Sequence, residues 1–217
     1  MFFNLLASNS HSATEKGHLS REQKEFLHEI TTHSENVSFV AARLAATLGW
    51  SKEDQERIQW AGYFHDFGKH SLDPMILLKR TPLTPDDWLQ IKQHPELGFQ
   101  SFIKMHKQSK SKPDSLIAKC ILQHHERWDG TGYPYELCDE EISSAALIVS
   151  FADVVDALLS DRSYRKKFSY DKMCEHIEER RDKQWPAFIV DAFFKNQFFI
   201  LSSLLGGKNV QESQPFY

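Results

Sequence analysis

From Arg21 onward, Phe26, Ile30, His33, Val37, Val40 and Leu44 recur at alternating steps of four and three residues. That spacing is one stripe of an α-helix, and it carries a histidine in its middle. The stripe predicts a helix that ends near Gly49. No sustained period-two alternation marks a strand, and no repeat or low-complexity block interrupts the chain, so the expected fold is all-α. At 217 residues the chain is long enough for one domain with a sizeable core.

Start signals place the remaining helices. Ser51 with Asp54 resembles a capping box opening a helix that carries Ile58 and Ala61 toward His65 and Asp66, before Gly68 interrupts it. Thr84-Pro85-Asp86-Asp87 combines an N-cap, a first-turn proline and acids at the positive end of a helix dipole. This helix delivers Ile91 and then His94, which Pro95 sets at a helix boundary. Asp114 caps a helix in which Ile117, Cys120 and His124 share a face, with Ile121 and His125 beside it. Trp128 to Pro134, with two glycines and a proline, reads as a turn-rich connector. Ile142 to Leu159 predicts a central helix, apolar on nearly all sides with Asp153 embedded in it. A charged helix from about Tyr170 to Lys183 and a Phe-rich helix from near Pro186, stopped by Gly206-Gly207, complete the set. The expected organisation is a flexible arm over residues 1–20, one domain over 21–207 and a tail over 208–217.

Composition narrows the partners. A net charge of −4 and a sequence pI near 6.3 provide no global field for a nucleic-acid polymer, so an anionic ligand has to be held by local charge or metal. Cys120, Cys138 and Cys174 form no CxxC and read as free thiols. Met1 to Ala7 lacks a basic flank, and Ile142 to Leu159 carries two aspartates and falls short of the ~20 apolar residues of a membrane span. The expectation is a cytoplasmic protein with no membrane partner.

The chemistry sits in the histidines. Glu29 and His33 are one helical turn apart and can address one metal cluster. His65-Asp66 and His94-Pro95 say little singly. Asp153 inside an apolar helix costs several kcal/mol unless it is paired or coordinated. The vicinal His124 and His125 point in different directions, so the pair can serve two adjacent ions while an aspartate bridges them. Lys69, Arg162 and Arg165 are ordinary solvated cations unless a phosphate sits beside them. Together, five histidines and their acids favour first-row ions over hard cations. Two such ions roughly 3.5–4 Å apart can generate a bridging hydroxide near neutral pH and stabilise in-line attack at phosphorus. Phosphodiester hydrolysis is the reaction this set suits.

The spacing of His33, His65-Asp66, Gly68-Lys69, His94-Pro95, His124-His125-Glu126, Asp129-Gly130-Thr131-Gly132-Tyr133-Pro134 and Asp153 with Asp156-Ala157-Leu158 closely resembles the HD-GYP subgroup of HD-domain phosphohydrolases. The resemblance covers about residues 25 to 200, and the string from His124 to Pro134 is its most specific part. It implies a single-domain HD-type helical bundle with a metal centre in its core. The implied activity is hydrolysis of the bacterial second messenger cyclic di-GMP to linear pGpG, and onward to GMP in many members. The implied metal ligands are His33, His65, Asp66, His94, His124, His125 and Asp153, with Asp66 as the bridge. Glu29 matches the glutamate that accompanies a third ion in some members, so two or three divalent ions are implied, iron or manganese foremost. Lys69 matches a lysine against the scissile phosphate, and Arg162 and Arg165 match basic residues near the substrate phosphates. Tyr133 belongs to the signature loop, implicated in substrate and partner contacts, and a homodimer is compatible with the Phe-rich helix.

Four positions depart from the pattern. Ser163 stands where proline is usual, Glu136 and Asp139 where glycine is frequent, and His70 where an aliphatic residue is common. None removes a ligand. Two alternatives share the same motifs: a non-catalytic cyclic di-GMP sensor that signals by protein contact through Gly132-Tyr133-Pro134, and a phosphodiesterase for another cyclic dinucleotide such as cyclic GMP-AMP. The intact ligand set weighs against the first.

Overall fold

The His33 stripe folds as a long helix, α1 (Arg21–Thr47), with Val37, Val40, Ala41 and Leu44 fully buried along it. The computed structural model describes residues 21–79, 81–161, 166–202 and 204. All regular structure among these residues is helical; the only β features among them are two isolated bridges. The arm, the tail, the glycine pair at 206–207, Arg162 and Arg165 all lie outside the described residues.

Local chemistry sets the helix starts. α2 (Lys52–Phe64) is capped by Ser51, whose hydroxyl accepts from the Asp54 amide at 3.1 Å. A 3-10 turn follows at Phe67–Ser71, then a short α3 (Pro74–Leu77) behind the Asp73 cap. α4 (Pro85–Ile91) opens with the full reciprocal box: the Asp87 amide donates to Thr84 Oγ1 at 3.2 Å and the Thr84 amide to Asp87 Oδ2 at 2.7 Å. Asp114 caps α6 (Ser115–Gln123) through the Leu116 and Ile117 amides and takes both forks of Arg57 at 2.7 and 3.0 Å, tying α2 to the start of α6. The central helix is α7 (Ser144–Leu159).

Two expectations need correction. His94 does sit at a helix boundary, but as the first residue of α5 (His94–Gln108), which the sequence reading did not anticipate. Pro95 lies in the first turn, where its missing N–H is no loss, so it starts this helix and does not end the one before. The charged helix is shorter than predicted: α8 covers Tyr170–Glu178. The residues beyond it are claimed by a neighbouring loop, since the Trp128 and Asp129 amides donate to the Gln184 and Lys183 carbonyls. α9 (Ala187–Leu201) then closes the bundle.

α1 packs against α2, α7 and α9, while α6 lies between α2, α5 and α7. Leu147, Ile148 and Phe151 of α7 are completely buried, each contributing about 1.5–3 kcal/mol of hydrophobic stabilisation. Trp185 packs edge-on to Phe151 at 5.0 Å beneath them. The result is a frame in which the end of α2, the start of α5 and the end of α6 meet the middle of α1 at one centre. The N-terminus of α5 also approaches the 3-10 turn so closely that a Cβ on Gly68 would lie 1.8 Å from the His94 carbonyl oxygen.

Candidate metal centre

Four segments meet around Asp66. His33 comes from the middle of α1, His65 and Asp66 from the end of α2, His94 from the start of α5, His124 from the end of α6, and His125 follows it. Their donor atoms form two groups, His33–His65–Asp66 and Asp66–His94–His124–His125, with the atoms of each group lying within 4.8 Å of one another. Asp66 belongs to both. Its Oδ1 lies 3.2 Å from His94 Nε2 and 3.8 Å from His124 Nε2, while its Oδ2 lies 3.2 Å from His65 Nε2 and 3.7 Å from His33 Nε2. One carboxylate therefore faces a different histidine set with each oxygen.

Backbone geometry aims the rings. His65 Nδ1 donates to the Gly62 carbonyl at 2.7 Å, His94 Nδ1 to Ile91 at 2.7 Å and His124 Nδ1 to Ile121 at 2.9 Å. A carbonyl can only accept, so each Nδ1 carries the proton and each Nε2 of a neutral ring presents a lone pair to the centre. His33 is held by a side chain, with Nδ1 at 2.6 Å from Asp156 Oδ2.

These contacts test whether a cation fits. His94 Nε2 and His124 Nε2 stand 3.1 Å apart, and neither has a proton to share. Buried His65 Nε2 and Asp66 Oδ1 lack any hydrogen-bond partner. Protonation does not resolve the clash on the His124 side: burial first, then the neighbouring imidazoles, push His124 down to about 4 even against Asp66, and burial also holds His125 well below its ordinary value. Burial opposes the charge on Asp66, yet His65 and Lys69 keep its carboxyl well below the usual range. An ionised aspartate facing imidazole Nε2 atoms, with His124 and His125 held neutral by burial, is a donor set for divalent first-row ions.

The remaining expected ligands sit at the margin. Asp153 Oδ1 is 3.2 Å from His33 Nε2; burial raises its carboxyl, but His33 outweighs that and holds it low. On His33 the same balance runs the other way: burial disfavours the cation, yet Asp153 and Asp156 raise it to about 9. Glu29 is half-buried one turn before His33 and outside both convergent groups. Lys69 is partly exposed and donates to Asp66 Oδ2 at 2.6 Å, which puts an ammonium at the edge of the centre.

The signature loop forms one wall. Tyr133 stacks on His125 with centroids 4.7 Å apart, and Lys92 lies 5.3 Å over the ring. Glu126, completely buried, accepts the Tyr135 and Leu137 amides at 2.8 and 3.1 Å and so clamps the loop's return. Gly132 is required by space, since a Cβ there would lie 2.5 Å from the Arg127 amide nitrogen. Glu136 and Asp139, noted as departures from glycine, both have positive φ, 55° and 48°. Left-handed backbone strains a residue with a Cβ, and Glu136 also repels Glu126. Glu136→Gly is therefore expected to stabilise the fold by roughly 0.5–1 kcal/mol, after the entropy glycine loses on folding. Urea denaturation decides it: an unchanged or lower midpoint would count against the strain.

Sequence reasoning had Asp156 and Glu126 within its motif but gave them no task; Lys92 it did not single out. The signal for Asp156 was available, because it sits one turn after Asp153 on the same apolar helix.

The chain belongs to the HD-domain family, which residues 4–185 match. It is 37% identical over 167 residues to a cyclic di-GMP phosphodiesterase of Thermotoga maritima, covering 77% of this chain and 44% of that protein. It is 27% identical over 168 residues to the 3'3'-cGAMP-specific phosphodiesterase 2 of Vibrio cholerae, covering 77% of this chain and 31% of that one. The chain thus spans less than half the length of these curated relatives. Among solved structures it resembles Bd1817, an HDG"Y"P protein from Bdellovibrio bacteriovorus, with a TM-score of 0.60, 23% identity, and coverage of 82% of this chain and 53% of that chain. The HD-GYP resemblance read from the motifs accordingly stands, and so does the all-α HD fold.

Proposed function

We propose that residues 21–207 form the catalytic domain of a metal-dependent phosphodiesterase that hydrolyses cyclic di-GMP to linear pGpG, and further to GMP. The observation that carries this reading is the division of Asp66: one buried carboxylate, one oxygen toward each of two histidine groups. His33, His65, Asp66 and Asp153 would hold one divalent ion, and Asp66, His94, His124 and His125 the other, with iron and manganese the best match to a nitrogen and oxygen donor set. Glu29 is placed to join if a third ion binds. Such ions, when bound, supply an activated water and Lewis acidity toward the phosphoryl oxygens.

The chain's own residues supply the rest. Lys69 provides a cation beside the centre for a phosphate oxygen. Tyr133, stacked on His125 and with Lys92 over its ring, forms a wall against which a substrate is oriented, and burial keeps its phenol protonated. Arg162 and Arg165 complete the phosphate contacts in the proposal. Among the described residues, no helix is long and apolar enough to cross a membrane. A cytoplasmic setting suits a second-messenger substrate. A protein partner at the Gly132-Tyr133-Pro134 loop and a homodimer belong to the same proposal.

The test is anaerobic product chromatography with cyclic di-GMP, using protein reconstituted in turn with Fe(II) and Mn(II), and 3'3'-cGAMP as an equimolar competitor. Formation of pGpG supports the reading, and the pGpG to GMP ratio says how far hydrolysis proceeds. Preferential loss of the competitor would transfer the specificity to cyclic GMP-AMP. No product from metal-loaded protein would sink the enzymatic reading in favour of a sensor.

A further inference from the structure

Of the four histidines whose Nε2 atoms face Asp66, three take their orientation from a carbonyl three residues upstream, and His33 alone takes it from a charged side chain. That side chain, Asp156, is itself fixed. It is buried one turn after Asp153 on α7, and while Oδ2 meets His33 Nδ1 at 2.6 Å, Oδ1 accepts from Asn36 Nδ2 at 2.7 Å and from Ser160 Oγ at 3.0 Å. Asn36 lies one turn after His33 on α1 and Ser160 caps the end of α7. The network therefore locks α1 to α7 at the point where each helix presents a residue, His33 and Asp153, to the same half of the centre.

We infer that Asp156 is the positioning residue of the His33 half of the centre: it fixes the ring so that Nε2 points at the Asp66–Asp153 side, and makes that nitrogen a stronger donor than its carbonyl-tethered counterparts. A carboxylate accepting from Nδ1–H withdraws that proton from the ring and leaves more electron density on Nε2, an effect a neutral carbonyl produces more weakly. The two halves are consequently unequal in donor strength. The inference rests on the metal-dependent reading above.

The experiment is Mn(II) equilibrium dialysis on the full chain, comparing wild type with Asp156→Ala and Asp156→Asn, alongside Co(II) visible absorption and circular dichroism. Wild type is expected to bind Mn(II) in two steps. Asp156→Ala should weaken one step by about 10- to 100-fold and leave the other unchanged, the range typical of losing a residue that orients a metal-bound histidine. Its Co(II) band should shift because one imidazole is released. Asp156→Asn should recover most of the affinity, because its amide oxygen still accepts from His33 Nδ1 once the neighbouring amide and hydroxyl reorient. If Asp156→Ala does not fold, the Asn variant carries the comparison, with a weakened single step expected. Two equal steps and an unshifted Co(II) band in the folded variants would overturn the inference and leave the enzyme reading intact. Both steps weakening together, with Asn no better than Ala, would reduce Asp156 to a structural residue. Wild type that binds no Mn(II) would overturn the metal-dependent reading itself, and the inference with it.

Discussion

Asp66→Ala is expected to lower kcat/KM for cyclic di-GMP on the order of 10³-fold or more, which corresponds to about 4 kcal/mol of lost transition-state stabilisation. The reason is the position of Asp66 in both convergent groups. Any other single ligand serves one group, but removing this carboxylate takes the anion from between His33 and His65 on one side and His94 and His124 on the other. It also removes the 2.6 Å contact that Lys69 makes at the edge of the centre. Metal content measured by mass spectrometry should fall along with activity, whereas the helical circular dichroism signal should not, because Asp66 contributes nothing to the α7 core. A metal-loaded Asp66→Ala protein that turns over within tenfold of wild type would show that the centre does not depend on its shared carboxylate.

The second large effect is steric. Gly68→Ala would set a methyl group 1.8 Å from the His94 carbonyl oxygen and 2.5 Å from the Gly98 amide nitrogen. Both are backbone atoms, and no flexible side chain can yield. The 3-10 turn must then separate from α5, at a cost of about 3 kcal/mol or more. For a domain of this size, that is a fall in melting temperature of roughly 6–12 °C. Activity should be lost in the same variant, because the turn follows directly on Asp66 and contains Lys69, while α5 begins with His94. Gly49→Ala is the matching control. It meets nothing within 4 Å but has φ of 79°, so it should cost only about 1 kcal/mol and leave hydrolysis untouched. A Gly68→Ala protein as stable as Gly49→Ala would falsify the close-packed arrangement of turn and helix.

The histidines were legible in the sequence because each lies on or beside an apolar stripe or a capped helix end, and those signals are local. Ser51, Thr84 and Asp114 announce their helices through side-chain caps that need no tertiary information. α5 was missed because Pro95 is ambiguous when read alone: the same residue ends one helix or starts the next, and only the packing of α5 on the Gly68 turn decides. The early end of α8 was illegible for a related reason. Nothing between Glu179 and Gln184 breaks a helix by itself; the segment turns because the signature loop claims the Lys183 and Gln184 carbonyls. At the centre, residue types pointed to the ligands, but the division of Asp66 between two groups and the attachment of His33 to Asp156 join segments far apart in the chain.

The carbonyl tethers of His65, His94 and His124 have a consequence for how such a centre tolerates divergence. A peptide oxygen is present whatever side chain a codon specifies, so the aim of these three rings does not come from the side chains at positions 62, 91 and 121; Gly62 and Ile121 are held instead by packing, the first against the Ser38 backbone and the second by full burial. The aim of these three rings is thus inherited with the bundle's shape. That of His33 hangs on one replaceable carboxylate, and it is there that a lineage could retune or lose the centre in a single step.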